Sequence, residues 1–229
     1  TITLTSRSLD KSANYFPPPH VARQSQQIII LCQRQNPAIP KSDWRRREAG
    51  RNRIKSGAIL PKRRRACQSR RPPMNAKTPI PPLVLVFAAS DPTSGAGIQA
   101  DLLTLAALGC HPLCAVTAIT VQDTTGVDSI DPVAAPLLRR QARTVLDEMP
   151  VAAFKTGVLA SVENVLAVAA IVADYPSIPL VVDPVLASGR GDPFSGAEII
   201  AAMREVLLPR ATVLTPNAPE ARRLAAGNA

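Results

Sequence analysis

The feature that most constrains this chain is a glycine-rich segment, residues 91–101, with the sequence DPTSGAGIQAD. The run before it, 83–88, reads LVLVFA and is typical of a strand buried on both faces. The run after it, 102–108, has apolar residues at helical spacing and is followed by Gly109, a residue that favours a helix end. The sequence therefore predicts a strand, a glycine-rich loop and a helix.

Such a loop is suited to holding a ligand. Gly95 and Gly97 can take backbone angles that other residues avoid, and they let a ligand approach the main chain. The helix that follows directs unpaired N–H groups and its positive dipole end at the loop. Asp101 lies one turn further on, where its carboxylate can face the same pocket. An aspartate near a helix start can also serve the dipole alone, and the residues by themselves leave both interpretations open.

The loop also matches the dinucleotide fingerprint G-x-G-x-x-A at residues 95–100. A Rossmann unit, however, has a tight turn directly after the strand and an acidic residue about twenty positions later. Here residues 89–94 separate the strand from Gly95, and the second strand candidate closes at Gln122, an amide. No GK[ST] motif follows, which excludes a nucleotide P-loop. We interpret the loop as a site for a small ligand.

Charge divides the chain in two. Residues 1–73 contain 17 Lys+Arg and 3 Asp+Glu, whereas residues 74–229 contain 10 Lys+Arg and 14 Asp+Glu. The first part has little periodic apolar pattern, so we predict a disordered basic leader at 1–73 and a folded domain at 74–229. The leader could bind nucleic acid or an anionic surface, or serve as an organelle transit peptide. We favour a third interpretation, a leader that is no natural part of the protein, because Met74 stands where an ordinary start would.

Several classes of protein are not expected. No aromatic residues are interleaved with the arginines to stack on bases, which disfavours nucleic-acid binding. No apolar run reaches the roughly 20 residues that a membrane span needs. Cys110 and Cys114 have no second ligand cluster nearby, which disfavours zinc. We expect buried free thiols in a reducing cytoplasm.

From residue 113 onward, strand and helix patterns alternate. Strands are predicted at 113–121, 152–159, 180–182 and 212–214, and helices at 132–149, 161–174 with Ser161 as cap, 195–207 with a Ser195–Glu198 capping box, and from 219. Alternation with continuous apolar strands predicts an α/β fold, a parallel sheet covered by helices on both faces.

Polar residues follow the predicted strands, and ligands of such sheets bind beyond the carboxyl ends of the strands. They are found at 91–101, 122–123, 155–157, Asp183 with 188–192, and Asn217 with Glu220. Each has a structural alternative: Gln122 could cap a strand, Asp183 before Pro184 could form a turn, and Asn217 with Glu220 could begin a helix or hold Mg²⁺. Lys155 could steady a phosphate or pair with a carboxylate.

Five blocks of this sequence resemble the bacterial hydroxymethylpyrimidine/phosphomethylpyrimidine kinases of thiamine biosynthesis, which belong to the ribokinase-like superfamily. The blocks are AASDPTSGAGIQAD at 88–101, TAITVQDT at 117–124, KTGVL at 155–159, VDPV at 182–185 and LTPNAPE at 214–220. They occur in order and at family spacing from about residue 83 to the C-terminus.

The resemblance implies a kinase that uses ATP and Mg²⁺ to phosphorylate 4-amino-5-hydroxymethyl-2-methylpyrimidine and then its monophosphate. It implies a pyrimidine pocket lined by Ala89, Ala96, Asp101, Gln122, Val158 and Val185. It further implies cofactor binding by Asn217, Glu220 and Asp183, with Glu220 near Mg²⁺ through water. A homodimer is compatible with the family. Pyridoxal kinase is the alternative within the superfamily, although Gln122 and the GAGIQAD run argue against it.

The sequence departs from the family pattern in two places. Ala89 stands where the family usually has Gly, and Ser94 stands where Gly is common, so we expect a slightly stiffer and more crowded loop. The family's C-terminal G-T-G-C loop, which carries the anion hole, the proposed base and most of the ATP pocket, does not occur in the sequence. We therefore expect an incomplete ribokinase-like sheet and little phosphoryl transfer by this chain alone.

Overall fold

The structure is a computed structural model, and it describes residues 80–188 and 194–226. The predicted disordered leader at 1–73 lies outside the described residues, and so do Gly189, Arg190, Gly191 and Asp192, which the sequence placed among the site candidates. The statements that follow concern the described part of the chain.

Six strands and five α-helices alternate along most of the described chain. They are β1 (Leu83–Ser90), α1 (Gly97–Ala107), β2 (His111–Gln122), β3 (Val127–Pro132), α2 (Ala135–Glu148), β4 (Val151–Thr156), α3 (Val162–Ala173), β5 (Leu180–Val182), α4 (Ala197–Ala202), β6 (Val213–Leu214) and α5 (Ala218–Ala225). Helix α4 continues through a π-helical turn, Met203–Leu207, and a 3₁₀ turn, Leu208–Arg210.

The strands form one sheet in the order β3-β2-β1-β4-β5-β6. Strands β2, β1, β4, β5 and β6 are parallel, as the alternating pattern predicted. Strand β3 is antiparallel to β2, with Gln122 opposite Val127 across the turn between them. The sheet is therefore mixed: five strands have the predicted parallel arrangement, and the antiparallel edge strand β3 was not predicted.

Strand β3 escaped prediction because its sequence, VDSIDP, has few apolar residues and ends in proline. Its residues are half-buried or exposed, as is common for an edge strand, where proline and charge are tolerated. The predicted helix at 132–149 also starts later than expected. Pro132 closes β3, and the proline in the first turn of α2 is Pro136.

Helices cover both faces of the sheet, as predicted. On one face, Leu85, Phe87 and Phe154 pack with residues of α2, α3 and the α4 segment. The rings of Phe87 and Phe154 lie 6.1 Å apart. On the other face, Val84 and Val86 pack against Ile98 and Leu105 of α1. Because β1 and β4 are buried on both sides, their carboxyl ends are held firmly at one edge of the sheet.

One of the two predicted helix caps is present. The Ser161 side chain accepts a hydrogen bond from Asn164 N at 3.2 Å and begins α3. The predicted Ser195–Glu198 capping box is wrong, because the N-cap of α4 is Gly196, which has no side chain to accept a capping hydrogen bond. The Glu198 carboxylate instead fills the space that a side chain at Gly196 would need.

The prediction for the cysteines is only half right. Cys110 is buried, and this burial raises its pKa to about 11, whereas Cys114 is exposed on β2. Both thiols are free. Within the described ranges, no helix has the length and apolar character to cross a membrane.

Candidate functional site

A cavity of about 510 Å³ lies at the edge of the sheet where the parallel strands end. The loop after β1, the turn between β2 and β3, and the segments after β4, β5 and β6 all contribute to its wall. All nine predicted site residues line it: Ala89, Ala96, Asp101, Gln122, Val158, Asp183, Val185, Asn217 and Glu220. The strand-end argument and the family resemblance together therefore named residues that the fold places around one space; their individual roles stay predictions.

The glycine-rich loop is organised by the side chain of Asp91. Its Oδ1 accepts from Thr93 N at 2.8 Å, and its Oδ2 accepts from Ala96 N at 2.8 Å. Gly97 has a φ of 61°, and a Cβ at that position would lie 2.6 Å from the carbonyl oxygen of Ala89. Only glycine fits there. The backbone of α1 consequently begins against the end of β1.

Gly95 does not take the left-handed backbone conformation that the sequence suggested for it. Ser94 adopts that conformation instead, with a φ of 60°. The departure from the family pattern at this position therefore falls on a residue with a strained backbone; the stiffer loop stays a prediction. Ala89, the other departure, is buried at the end of β1 and lines the cavity.

Asp101 forms a buried ion pair with Lys155. Lys155 Nζ donates to Asp101 Oδ2 at 2.8 Å, and the two side chains are only 2% and 4% exposed. Burial by itself lowers the pKa of Lys155, but the charges of Asp101 and Asp183 and the hydrogen bond to Asp101 outweigh it, so the pKa lies above its usual value. Of the alternatives for Lys155, pairing with a carboxylate is confirmed. Asp101 is not simply a partner of the helix dipole.

Gln122 ends β2 at the mouth of the cavity. Its backbone pairs with Val127, and its side chain is half-buried and lines the cavity. The side-chain amide makes no hydrogen bond to any described residue. One donor group and one acceptor oxygen at the cavity wall therefore keep their hydrogen-bonding capacity within the described part of the chain.

Asn217 and Glu220 form a capping box at the start of α5. Asn217 Oδ1 accepts from Glu220 N at 2.8 Å, and Glu220 Oε2 accepts from Asn217 N at 2.8 Å. Glu220 Oε1 also accepts from Leu186 N at 3.4 Å, a long hydrogen bond. The structural alternative is thus confirmed, and both residues also line the cavity.

The residues at this end of the cavity fit Mg²⁺ in kind. Carboxylate oxygens are hard ligands, and Mg²⁺ bound with a nucleotide keeps several waters and phosphate oxygens around it. The carboxylate of Glu220 keeps lone pairs beyond those used in the capping box. The described residues contain no group of three or more His, Cys, Asp or Glu able to hold a metal ion by themselves. The water-mediated contact of Glu220 with Mg²⁺ stays a prediction.

Asp183 follows β5 and is 8% exposed. Its N–H donates to Thr156 O at 3.1 Å, and its carbonyl oxygen accepts from Val185 N at 2.9 Å. The backbone thus makes the turn that the Asp-Pro pair suggested. The carboxylate lines the cavity and acts electrostatically on Lys155.

Several residues of the site were missed by the sequence argument. Gln99 Oε1 accepts from Asp91 N at 2.9 Å, and Gln99 Nε2 donates to Ser90 Oγ at 2.7 Å, so this side chain ties α1 to the loop. Thr120 donates to Ser90 O at 2.8 Å, and Phe194 adds an aromatic ring to the wall. Gln99 belongs to the glycine-rich segment, Thr120 lies inside a predicted strand and Phe194 stands just before a predicted helix. None was singled out, because only the fold brings these side chains to the site.

Comparison with known proteins gives one consistent result. A family model described as "Phosphomethylpyrimidine kinase" matches residues 91–229. The hydroxymethylpyrimidine/phosphomethylpyrimidine kinase of Mycobacterium tuberculosis H37Rv is 49% identical over 145 residues, covering 63% of this chain and 53% of the relative. The protein of that name from Streptomyces coelicolor is 45% identical over 153 residues, covering 66% and 56%. The chain thus spans about half the length of these bacterial relatives.

Solved structures agree with the fold. The phosphomethylpyrimidine kinase of Clostridium difficile 630 has a TM-score of 0.60 and 35% identity, covering 63% of this chain and 62% of that one. A Bacillus subtilis pyridoxal kinase solved as an ADP complex has a TM-score of 0.55 and 33% identity, covering 63% and 53%. The described α/β sheet with its covering helices is that of the ribokinase-like kinases. Since the matched region is more than half of the sequence, the chain belongs to the phosphomethylpyrimidine kinase family.

Proposed function

We propose that the cavity binds 4-amino-5-hydroxymethyl-2-methylpyrimidine and its monophosphate, the substrates of an ATP-dependent phosphorylation in thiamine biosynthesis. The observation that carries this proposal is the pairing of two polar groups in one cavity. Asp101 presents a buried carboxylate held by Lys155, and Gln122 presents an amide without a partner among the described residues. An aminopyrimidine has the complementary donors and acceptors on its edge.

The ring would be recognised by polar and apolar contacts together. Asp101 would accept a hydrogen bond from the ring's amino group, and Gln122 would donate to a ring nitrogen and accept from the same edge. Ala89, Ala96, Val158 and Val185 line the cavity and offer apolar surface to the ring and its methyl group. A cavity of about 510 Å³ falls within the usual range for small-molecule sites.

When bound, ATP with Mg²⁺ would supply the phosphoryl group that the substrate's hydroxymethyl oxygen receives. Glu220 would contact Mg²⁺ through water, and Asn217 and Asp183 would lie on the nucleotide side of the cavity. The described part of the wall carries five acidic side chains and one basic one, Lys155. Because polyphosphate is repelled by carboxylates, Mg²⁺ is needed there to make nucleotide binding favourable.

The same charge balance bears on the expected weak phosphoryl transfer. Transfer of a γ-phosphoryl group depends on positive groups and N–H donors around its oxygens. In the described wall the one ammonium is already paired with Asp101. This supports the proposal that this chain binds the pyrimidine but phosphorylates it only slowly. An assay of ADP release with the full chain measures the phosphorylation separately from binding.

Pyridoxal is the competing ligand. Its kinases from Bacillus subtilis and Staphylococcus aureus are 33% and 34% identical to this chain. Pyridoxal carries a hydroxymethyl group but no ring amino group for Asp101. We therefore propose the aminopyrimidine as the preferred ligand.

We also propose a cytoplasmic location and a homodimer. The homodimer is measurable by light scattering of the purified chain.

Calorimetric titration of the full chain with the aminopyrimidine and with pyridoxal tests the proposal. We expect saturable binding of the aminopyrimidine, and a Gln122→Leu variant should bind it roughly tenfold more weakly because a buried ring edge loses its partner. Gln141→Leu is the matched control, since that amide hydrogen-bonds to the backbone of Val116 and Gln141 is not among the described residues that line the cavity. Tighter binding of pyridoxal, or equal affinities in both glutamine variants, would contradict the proposed function.

A further inference from the structure

We propose that the buried Lys155–Asp101 ion pair determines ring specificity. By keeping Asp101 a fixed hydrogen-bond acceptor, Lys155 makes the cavity prefer a pyrimidine with an amino group over the same ring with a carbonyl oxygen at that position. Lys155 is thus a positioning residue that acts through Asp101. The inference rests on the proposed function, and it assigns a role to a lysine whose use the sequence left open.

The geometry fixes both partners. Lys155 lies in β4, between Val86 of β1 and Val181 of β5 in the ladder, so its backbone is held by strands on both sides. Asp101 lies in the second turn of α1, 54 residues earlier in the chain. The contact of 2.8 Å between Nζ and Oδ2 joins a central strand to the helix that follows the glycine-rich loop.

The charges around the pair favour its ionised form. Lys155 is the one cationic side chain among the described residues that line the cavity, and carboxylates of Asp101 and Asp183 face it. A buried ammonium between two carboxylates stays charged, because neutralising it would leave both anions in a poorly solvated place. Asp101 consequently keeps its own charge.

An ionised carboxylate can accept hydrogen bonds but cannot donate them. A ring amino group satisfies it, whereas a ring carbonyl would place two acceptor oxygens face to face. Without the ammonium partner, burial would favour the protonated form of Asp101. A protonated acid can donate as well as accept, so the discrimination between the two rings would be lost.

The test uses the full 229-residue chain and two probes, 4-amino-5-hydroxymethyl-2-methylpyrimidine and its 4-oxo counterpart, with calorimetric affinities for each. We expect the wild-type chain to prefer the amino ring by roughly tenfold to hundredfold. Lys155→Met should reduce that ratio at least about tenfold. Thr104→Val is the matched control: Thr104 is a buried polar residue of α1 whose hydroxyl donates to Ala100 O, and it is not among the described residues that line the cavity. The loss of this hydroxyl should leave the ratio unchanged even where stability falls.

A second variant covers the case in which Lys155→Met does not fold. Asp101→Asn combined with Lys155→Met removes both charges, so no unpaired buried charge remains. The asparagine amide offers a donor and an acceptor, and the preference should fall to within about threefold of unity. If either variant keeps the wild-type ratio of affinities for the amino and the oxo ring, the inference is overturned. A wild-type chain that binds both rings equally overturns the inference but leaves the pyrimidine site standing, whereas a chain that binds neither ring overturns both proposals.

Discussion

At the scale of single residues, two backbone positions decide the shape of the loops around the cavity. Gly97 occupies the left-handed region where a side chain would strike Ala89 O. Ala160 occupies the same region, with a φ of 67°, in the segment that leaves β4. The first position already has the residue that its conformation requires, and the second does not.

Gly97→Ala should destabilise the chain by about 2–3 kcal/mol, because it combines a strained φ with a contact of 2.6 Å to a backbone oxygen. Gly95→Ala is the matched comparison, since the new Cβ there would meet Thr93 Oγ1 at 3.3 Å and the φ is not left-handed. Urea unfolding of both variants measures the difference. Equal losses of stability in the two variants would show that the close approach of position 97 to Ala89 O adds no cost.

Ala160→Gly should stabilise the chain by about 0.5–1 kcal/mol, because glycine takes a positive φ without steric cost. The same change at Ala152, within β4, should destabilise it by a similar amount, since a strand gains nothing from added backbone freedom. Denaturant midpoints of the two variants provide the comparison. A loss of stability at Ala160 would mean that its methyl contacts outweigh the backbone strain.

The two described cysteines should react at different rates. The pKa of Cys110 is raised to about 11 by burial, so at pH 8 very little of it is thiolate, and Cys114 is exposed. Thiolate is the reactive form. Alkylation with iodoacetamide followed by peptide mapping should label Cys114 at least about tenfold faster than Cys110. Similar rates at the two positions would contradict the burial of Cys110.

At the scale of elements, the strands were easier to predict than the ways in which helices begin. Continuous apolar runs identified β1, β4 and β5 because burial on both faces leaves little choice of residue. The run in β2 was equally apolar, although Ile119 and Val121 are half exposed there. The Ser195–Glu198 pattern failed, since a capping box depends on a local chain path that Gly196 changes. At Asn217 and Glu220 a similar spacing did produce the capping box.

The capping box of α5 gives a prediction at this scale. Asn217→Ala should cost about 1 kcal/mol, because Glu220 N then loses its acceptor. Asn217→Asp keeps an acceptor at the N-cap and should retain most of the stability. Thermal unfolding of the two variants separates capping from other effects. If aspartate were as damaging as alanine, the side chain would be needed for something other than the cap.

At the scale of the whole molecule, the site could be predicted as a region but not as a set of contacts. Carboxyl ends of parallel strands meet at one edge, so the sequence order of β1, β2, β4, β5 and β6 was enough to collect the polar candidates, whereas Ala89, Val158 and Val185 were named only through the family resemblance. The Lys155–Asp101 pair was not predictable, because a contact across 54 residues depends on how α1 packs on the sheet. The antiparallel β3 was hidden for a similar reason, since its pairing with β2, rather than its own composition, makes it a strand.

The central claim is that this cavity holds an aminopyrimidine through Asp101 and Gln122. The most direct test is a crystal structure of the full chain, determined from a crystal soaked with 4-amino-5-hydroxymethyl-2-methylpyrimidine. We predict the ring in the cavity between α1 and the carboxyl ends of the strands, with its amino group within about 3 Å of an Asp101 carboxylate oxygen and its edge against the Gln122 amide. A ring bound elsewhere, or one whose amino group points away from Asp101, would contradict the account.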